Sequence, residues 1–291
     1  MKFFAAAVSI VVLAASPADA STARERLVVV CHCSVPAFAE AVEGVREALG
    51  RNPELIDLDK MRQNEIESIL RRDPDSVYVA IGQDALKRIA LLKPEAPVIA
   101  TMMLSSDDGS RATLEIDLDV PPRLLVQNVH RLFPQTARIG LLASGTFDRG
   151  SYVSAAKDLG LQFHIKEVSG PADLQKSLLS LKGKVDLVLT LPDDLLYNSV
   201  TVQALILASL EARIPVVGFS AAFVHAGAVA GVFADFKDAG RQAAENALRL
   251  DLNHPQHVTD SPRKVSVAIN QKIAHLLGLE YERGADFMVL R

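Results

Sequence analysis

Short apolar runs alternate along this chain with stretches of helical period, and no other feature restricts the fold so much. In the first half the runs are residues 26–30 (RLVVV), 54–58 (ELIDL), 76–82 (SVYVAIG) and 96–104 (APVIATMML). Between them lie helical segments. The one after Pro36 puts Phe38, Val42, Val45 and Leu49 on a single face, and Pro36 suits a first helical turn. Alternation of this kind predicts parallel sheets covered by helices. The rhythm breaks at residues 105–123 (SSDDGSRATLEIDLDVPPR), where a crossing between two lobes is expected, and then restarts. Runs at 138–144, 162–168, 185–191 and 214–220 follow, with helices predicted from Ser151 and from about Leu195 to Ala212. Two such series predict two lobes rather than one long sheet. A further helix at 235–250, then a strand (RKVSVAIN) and a helix (QKIAHLLGL), are too little for a third unit, so the chain is expected to cross between the lobes more than once. The expected division is lobe 1 at 21–118 with a return of about 236–260, and lobe 2 at 119–235 with a return of about 264–291.

The chain has 291 residues, 49% of them hydrophobic and 23% charged, and a net charge of −4, which indicates neither disorder nor a nucleic-acid footprint. Tryptophan is absent and aromatic residues make up 5%, so a site built on several stacking platforms is not expected. Residues 1–20 carry one Lys, an apolar run through Leu13, then Pro17 and the small-residue ending Ala18-Asp19-Ala20. That is the layout of a secretory signal peptide, with cleavage expected after Ala20. The run is shorter than the roughly 20 residues a bilayer requires. With Ser21 rather than Cys at the new terminus, no lipid attachment is expected there, and the mature chain is read as soluble and periplasmic.

An oxidising compartment would permit a bridge between Cys31 and Cys33. On an extended strand, however, residues two apart have Cα atoms about 6.5 Å apart, near the bridging limit, so the expectation is an unbridged, buried strand end. A Cys-His-Cys metal site is the sharper alternative, but consecutive strand residues point to opposite faces and no second cluster supplies a further ligand.

In open parallel sheets ligands lie beyond the C-terminal strand ends. The candidates placed there are Ser34, Gln83 and Thr101 in the first lobe, and Ser144, Thr146, Asp193, Phe219 and Ser220 in the second. Asp194 is read as the N-cap of a helix starting near Leu195, leaving Asp193 to face a cationic or hydroxylated ligand. Ser144 and Thr146, in SGTFDRGSY, would receive an anion such as a carboxylate, unless that stretch is an ordinary Gly-rich turn. The order GFSAAF around Ser220 is similar to a hydrolase nucleophile elbow, yet His225 lies too near, and His254 and His257 sit in a polar segment. No phosphate loop or metal-binding His spacing is present in the sequence. Neither catalysis nor a cofactor or metal is expected.

Residues 185–250, from VDLVLTLPDDLLYN through GRQAAENALRL, resemble ABC-transporter substrate-binding proteins of the tryptophan/tyrosine-uptake type. The matching features are Pro192-Asp193, Ile214-Pro215-Val216, Phe223 to Gly227, Gly240 to Ala244, and the closing VAINQKIAHLLGL. The resemblance covers roughly residues 120–285; the first lobe matches mainly in the order of its elements. It implies the α/β fold of type I periplasmic binding proteins, two Rossmann-like lobes with parallel sheets joined by a multi-strand hinge. It also implies a small-molecule solute, an amino acid or a related compound, delivered to an ABC permease in the inner membrane, with no nucleic acid and a monomeric state. Two ligand-facing loops depart from the pattern. Ser144-Gly145-Thr146-Phe147 stands where relatives often carry Asn-Pro and a Ser, and Gln83 stands where a small hydroxylated residue is common. Two alternatives remain on the sequence: a ligand-sensing accessory module for a membrane receptor, and a serine hydrolase using Ser220.

Overall fold

The structure is a computed structural model that describes residues 27–72, 76–93, 95–103, 112–145, 147–250, 258–284 and 287–290. The predicted signal peptide and Thr146 lie outside the described residues. Two sheets carry the fold. The first is formed by β1 (Leu27–Cys31), β2 (Glu54–Asp57), β3 (Val77–Ile81), β4 (Val98–Met103), β5 (Leu114–Asp117) and β11 (Val258–Asp260), in the order β11-β5-β4-β3-β1-β2. All its pairings are parallel. Strands β1, β3 and β4 are buried along their whole length, as expected of continuous apolar runs covered on both faces.

The second sheet has the order β13-β12-β10-β9-β8-β6-β7. Its strands are β6 (Arg138–Ala143), β7 (Gln162–Glu167), β8 (Leu187–Thr190), β9 (Val216–Gly218), β10 (Ala230–Ala234), β12 (Val265–Asn270) and β13 (Phe287–Leu290). Only the β10/β12 pair is antiparallel. The chain passes between the sheets three times: after β5 into α4 (Pro122–Leu132), after β10 into α9 (Phe236–Arg249), and from β11 to β12. The crossings are tied together. The Asp235 N–H donates to the Lys264 carbonyl at 3.1 Å, and the Ser266 hydroxyl donates to Asp235 Oδ2 at 3.1 Å.

Helix α1 (Pro36–Leu49) starts at the proline and ends on Gly50, whose φ of 64° is the left-handed value a C-cap favours. Its buried stripe of Ala41, Val42, Gly44 and Val45 meets α9, which buries Ala239, Gly240, Ala243, Ala244 and Ala247. These small residues let the two backbones approach closely, and the pair covers one face of the first sheet. Glu47 of α1 bridges Lys237 and Arg241 of α9, at 2.5 and 2.9 Å. The other face is covered by α2 (Gln63–Arg72) and α3 (Gln83–Leu92), with Ile66, Leu70, Leu86 and Ile89 in its core. In the second lobe α4 and α5 (Arg149–Asp158) cover one face, and α6 (Leu174–Leu179) and α7 (Ser199–Ala212) the other.

Three sequence expectations are corrected here. Cys31 and Cys33 are joined by a disulfide, with Cα atoms 5.3 Å apart. The strand ends at Cys31 and the chain turns at Cys33, so the extended-strand spacing does not apply. Bridged sulfurs also leave no thiolates for a Cys-His-Cys metal site. Helix α7 starts at Ser199 rather than near Leu195. Its N-cap is Asn198, whose side chain accepts from Val200 N and Thr201 N while the Thr201 hydroxyl accepts from Asn198 N, a full capping box. Asp194 is therefore not a helix cap.

Candidate functional site

A cavity of about 370 Å³ opens where the first crossing meets the C-terminal strand ends of the second sheet. Its hinge side is Asp117 to Pro122, followed by Leu125, with Ser261 of the third crossing opposite. The second lobe supplies Phe147, Asp148, Tyr152, Thr190, Leu191, Pro192, Phe219 and Val232. A volume of this order suits a small-molecule site.

Each polar wall group is held by local structure. Asp117 closes β5 and accepts the Asp119 N–H at 3.1 Å. Burial raises the Asp117 carboxyl to about 6, helped by the neighbouring charge of Asp119 and, less strongly, by Glu115 and Asp260. Burial likewise raises Asp119. Asp148 caps α5 through Ser151, whose hydroxyl and N–H hold its carboxyl below the usual range. Tyr152 is 8% exposed; burial first, then the charges of Asp119 and Asp148, push its hydroxyl up to about 12. Its ring meets Phe147 edge-on at 6.0 Å between centroids. Thr190 is fully buried and donates to the Val217 carbonyl at 3.2 Å. Phe219 belongs to an aromatic cluster with Tyr197 at 5.5 Å and Phe223 at 4.7 Å.

The eight sequence candidates fall differently around this cavity. Phe219 lines it. Asp193 and Ser144 lie at adjacent strand ends, but they are bonded to each other. The Ser144 N–H and hydroxyl both donate to Asp193 Oδ2, at 3.1 and 2.5 Å, while Asp193 Oδ1 accepts from Leu195 N and Leu196 N at 3.0 and 3.1 Å. All of these acceptor contacts are internal. Asp193 is thus the brace of the 193–196 turn, and the exposed Asp194 next to it carries no such role. The Ser220 hydroxyl accepts the Phe223 N–H at 3.4 Å and caps α8 (Ala221–Ala226), a structural use of the residue that the sequence offered as a nucleophile.

The first-lobe candidates do not line the cavity. The Ser34 N–H donates to Asp59 Oδ2 at 2.8 Å, and His32 bonds the same carboxylate at 2.7 Å. That bond, more than any other contact, lowers Asp59 to about 2. Gln83 is exposed in the first turn of α3. Thr101 is fully buried in β4, and its hydroxyl has no hydrogen-bond partner among the described residues.

Asp117, Asp119, Asp148, Tyr152 and Ser261 were not read as site residues. Their signal was present: in LEIDLDVPP three acids, Glu115, Asp117 and Asp119, alternate with Leu114, Ile116 and Leu118 from a strand out toward Pro-Pro, at the point where the chain leaves the first lobe.

The raised Asp117 carboxyl has a consequence for stability. Ionisation is disfavoured in the folded state, so its contribution is intact below the ordinary carboxylate value and is lost as pH rises through about 6. Asp117→Asn keeps an oxygen for the Asp119 N–H and removes the charge. It is expected to stabilise the protein by roughly 1–3 kcal/mol at pH 7.5 and by almost nothing at pH 4. Thermal melts at the two pH values check this. An equal shift at both would contradict it.

Comparison with known proteins places the chain. A family model described as ABC transporter substrate binding protein matches residues 124–284, over half of the chain. The chain belongs to this family. No curated protein matches. Among solved structures, the binding protein is similar to the ligand-free, open form of a substrate binding protein with adhesive properties from Clostridium difficile. The TM-score is 0.61 at 16% identity, over 91% of this chain and 99% of that one. An ABC domain in complex with L-Trp from Streptococcus pneumonia gives 0.51 at 18% identity, over 91% and 100%. A conserved domain protein from Vibrio cholerae gives 0.51 at 19%, over 91% and 99%. At such identities the likeness is one of fold, the two-lobed α/β architecture of type I periplasmic binding proteins. Among the described residues of this binding protein, no helix is long and apolar enough to cross a membrane.

Proposed function

We propose that this binding protein is exported to the periplasm, captures a small organic solute in the hinge-side cavity without transforming it, and hands it to an ABC permease of the inner membrane. The observation that carries the reading is the position of the cavity. It is walled by two of the three inter-lobe crossings and by strand ends of the second lobe, so a bound solute touches the segments that must bend when the lobes close. A solute with more contacts in the closed state shifts the population toward it, and a permease can recognise that state. The signal-like residues 1–20 support export, and the Cys31–Cys33 bridge fits an oxidising compartment. An amino acid or a related compound is the first ligand class to test, since a similar fold was solved with L-Trp.

The test is a thermal-shift screen of a solute library on the chain from Ser21, followed by calorimetry on each hit. At least one small solute is expected to bind one to one. Ser261→Trp, which fills the cavity from the third crossing while keeping the backbone bonds of residue 261, should weaken that binding at least tenfold. A library with no binder, or unaltered binding in Ser261→Trp, contradicts the reading.

A further inference from the structure

The cavity walls are uneven in charge. Asp117, Asp119 and Asp148 line them, and among the described residues no Lys, Arg or His does. The two cations that follow Ser261 in the third crossing pair with acids outside the cavity lining: Lys264 lies 3.4 Å from Asp238, and Arg263 2.7 Å from Glu245. The first-lobe strand ends repeat the bias, since His32 is held by Asp59 at 2.7 Å with Asp84 at 3.8 Å. A second, independent feature points into the same space. Tyr152 is more than nine-tenths buried and lines the cavity, yet its hydroxyl has no hydrogen-bond partner among the described residues. The residue is buried, but the hydroxyl itself keeps access to the cavity space, where a ligand or water can pair with it.

We propose that the cavity takes an organic amine of net positive charge, whose charge is balanced by the acidic wall of Asp117, Asp119 and Asp148 and whose body lies against Phe147, Tyr152 and Phe219. This rests on the capture reading above and specifies the solute. A zwitterionic amino acid would bring its carboxylate into a wall that has acidic groups and no basic side chain, so charge complementarity favours the amine over the amino acid. The aromatic rings suit an ammonium group and its alkyl chain through their negative faces. A bare metal ion is a poorer occupant. Among the described residues no group of three His, Cys, Asp or Glu side chains converges to hold one, and the carboxylates are spread around a space of molecular size. The upward shifts of Asp117 and Asp119 are what carboxylates show when no cation is beside them.

The experiment is calorimetry on the chain from Ser21 after extensive dialysis, with matched probes: tyramine against L-tyrosine, phenethylamine against phenylacetate, and putrescine against L-leucine. At least one amine is expected to bind at least tenfold more tightly than its matched partner. Asp119→Asn should weaken that amine at least tenfold, and Tyr152→Phe about threefold. Both variants should melt no lower than wild type at pH 7.5, because each removes a group that folding leaves incompletely paired. Tighter binding of L-tyrosine, phenylacetate or L-leucine than of the matched amine overturns the inference and leaves solute capture standing. Amines that bind equally well to Asp119→Asn also overturn it. If no probe binds while the wider library yields a ligand, only the charge assignment falls; if nothing in the library binds either, both fall.

Discussion

Gly240→Ala is expected to destabilise this protein by about 3 kcal/mol or more, a fall in Tm of roughly 6–12 °C for a chain of this size. A Cβ on Gly240 would stand 1.9 Å from the carbonyl oxygen of Ala41, and one on Gly44 would stand 1.8 Å from that of Lys237. In both cases the obstacle is backbone, so no rotamer change relieves it and α1 and α9 must move apart. That separation opens the core built from Val42, Val45, Ala239, Ala243 and Ala244. It also loosens the helix by which the second crossing is fastened to the first lobe. Gly150→Ala is the control. Its Cβ meets only an Asp148 oxygen at 3.4 Å, and in the first turn of α5 alanine is the better helix former, so the change should be neutral or slightly stabilising. Differential scanning calorimetry of both variants decides the matter. A Gly240→Ala protein melting within about 1 °C of wild type would mean that the two helices do not interlock through these glycines.

The second large effect is expected at Asp193. Asp193→Ala removes the acceptor for the N–H and hydroxyl of Ser144 and for the Leu195 N–H, while the Leu196 N–H keeps only the Asp193 backbone carbonyl at 3.2 Å. Half-buried donors left without partners cost about 1–3 kcal/mol each where water cannot replace the bond. Because Ser144 and the 193–196 turn retain some access to solvent, a total loss of roughly 2–4 kcal/mol is expected. Asp193→Asn should recover the part due to Leu195 and Leu196 and, with the Ser144 hydroxyl turned to accept from its amide, leave only the Ser144 N–H facing a donor. Asp194→Ala, next in the chain and exposed, should change stability by less than about 0.5 kcal/mol. Urea unfolding of the three variants orders them. Equal effects at 193 and 194 would contradict the brace assigned to Asp193.

The contrast between those two acids shows what the sequence could and could not convey. Most buried strands were legible because a parallel sheet covered on both faces demands continuous apolar runs such as LVVVC and VYVAI, but the buried β10, AGVFA, was not among the runs read. Helix starts were less so. Two acids after a strand look like a cap, but the true start of α7 is set by Asn198 and Thr201 farther on, a spacing that is visible in NSVT once the intervening turn is allowed for. Two of the four edge strands, β11 and β13, were missed, while β2 and β7 were read. β11 is three residues long and exposed throughout, so it has no apolar periodicity to read, and β13 is only four residues long. The candidate site was legible mainly in its strand-end part, and among the described residues Phe219 alone of the eight candidates lines the cavity. Phe219, Leu191 and Pro192 sit where strand-end reasoning puts them, whereas Asp117 and Asp119 belong to a segment that reads as a connection. The candidate cavity is walled by the hinge as well as by strand ends, and the alternation in LEIDLDVPP is the one local sign that this connection is also a wall.

The most direct test of solute capture at the hinge uses the absence of tryptophan from the chain. Phe219→Trp places a sole tryptophan in the cavity wall, and Leu91→Trp places one on a side chain that is 76% exposed and outside the cavity lining. With a solute that calorimetry shows to bind each variant, the Phe219→Trp emission should shift saturably with the calorimetric Kd while the Leu91→Trp emission stays constant. Calorimetric binding to Phe219→Trp with no change in its emission would place the solute elsewhere and contradict the account.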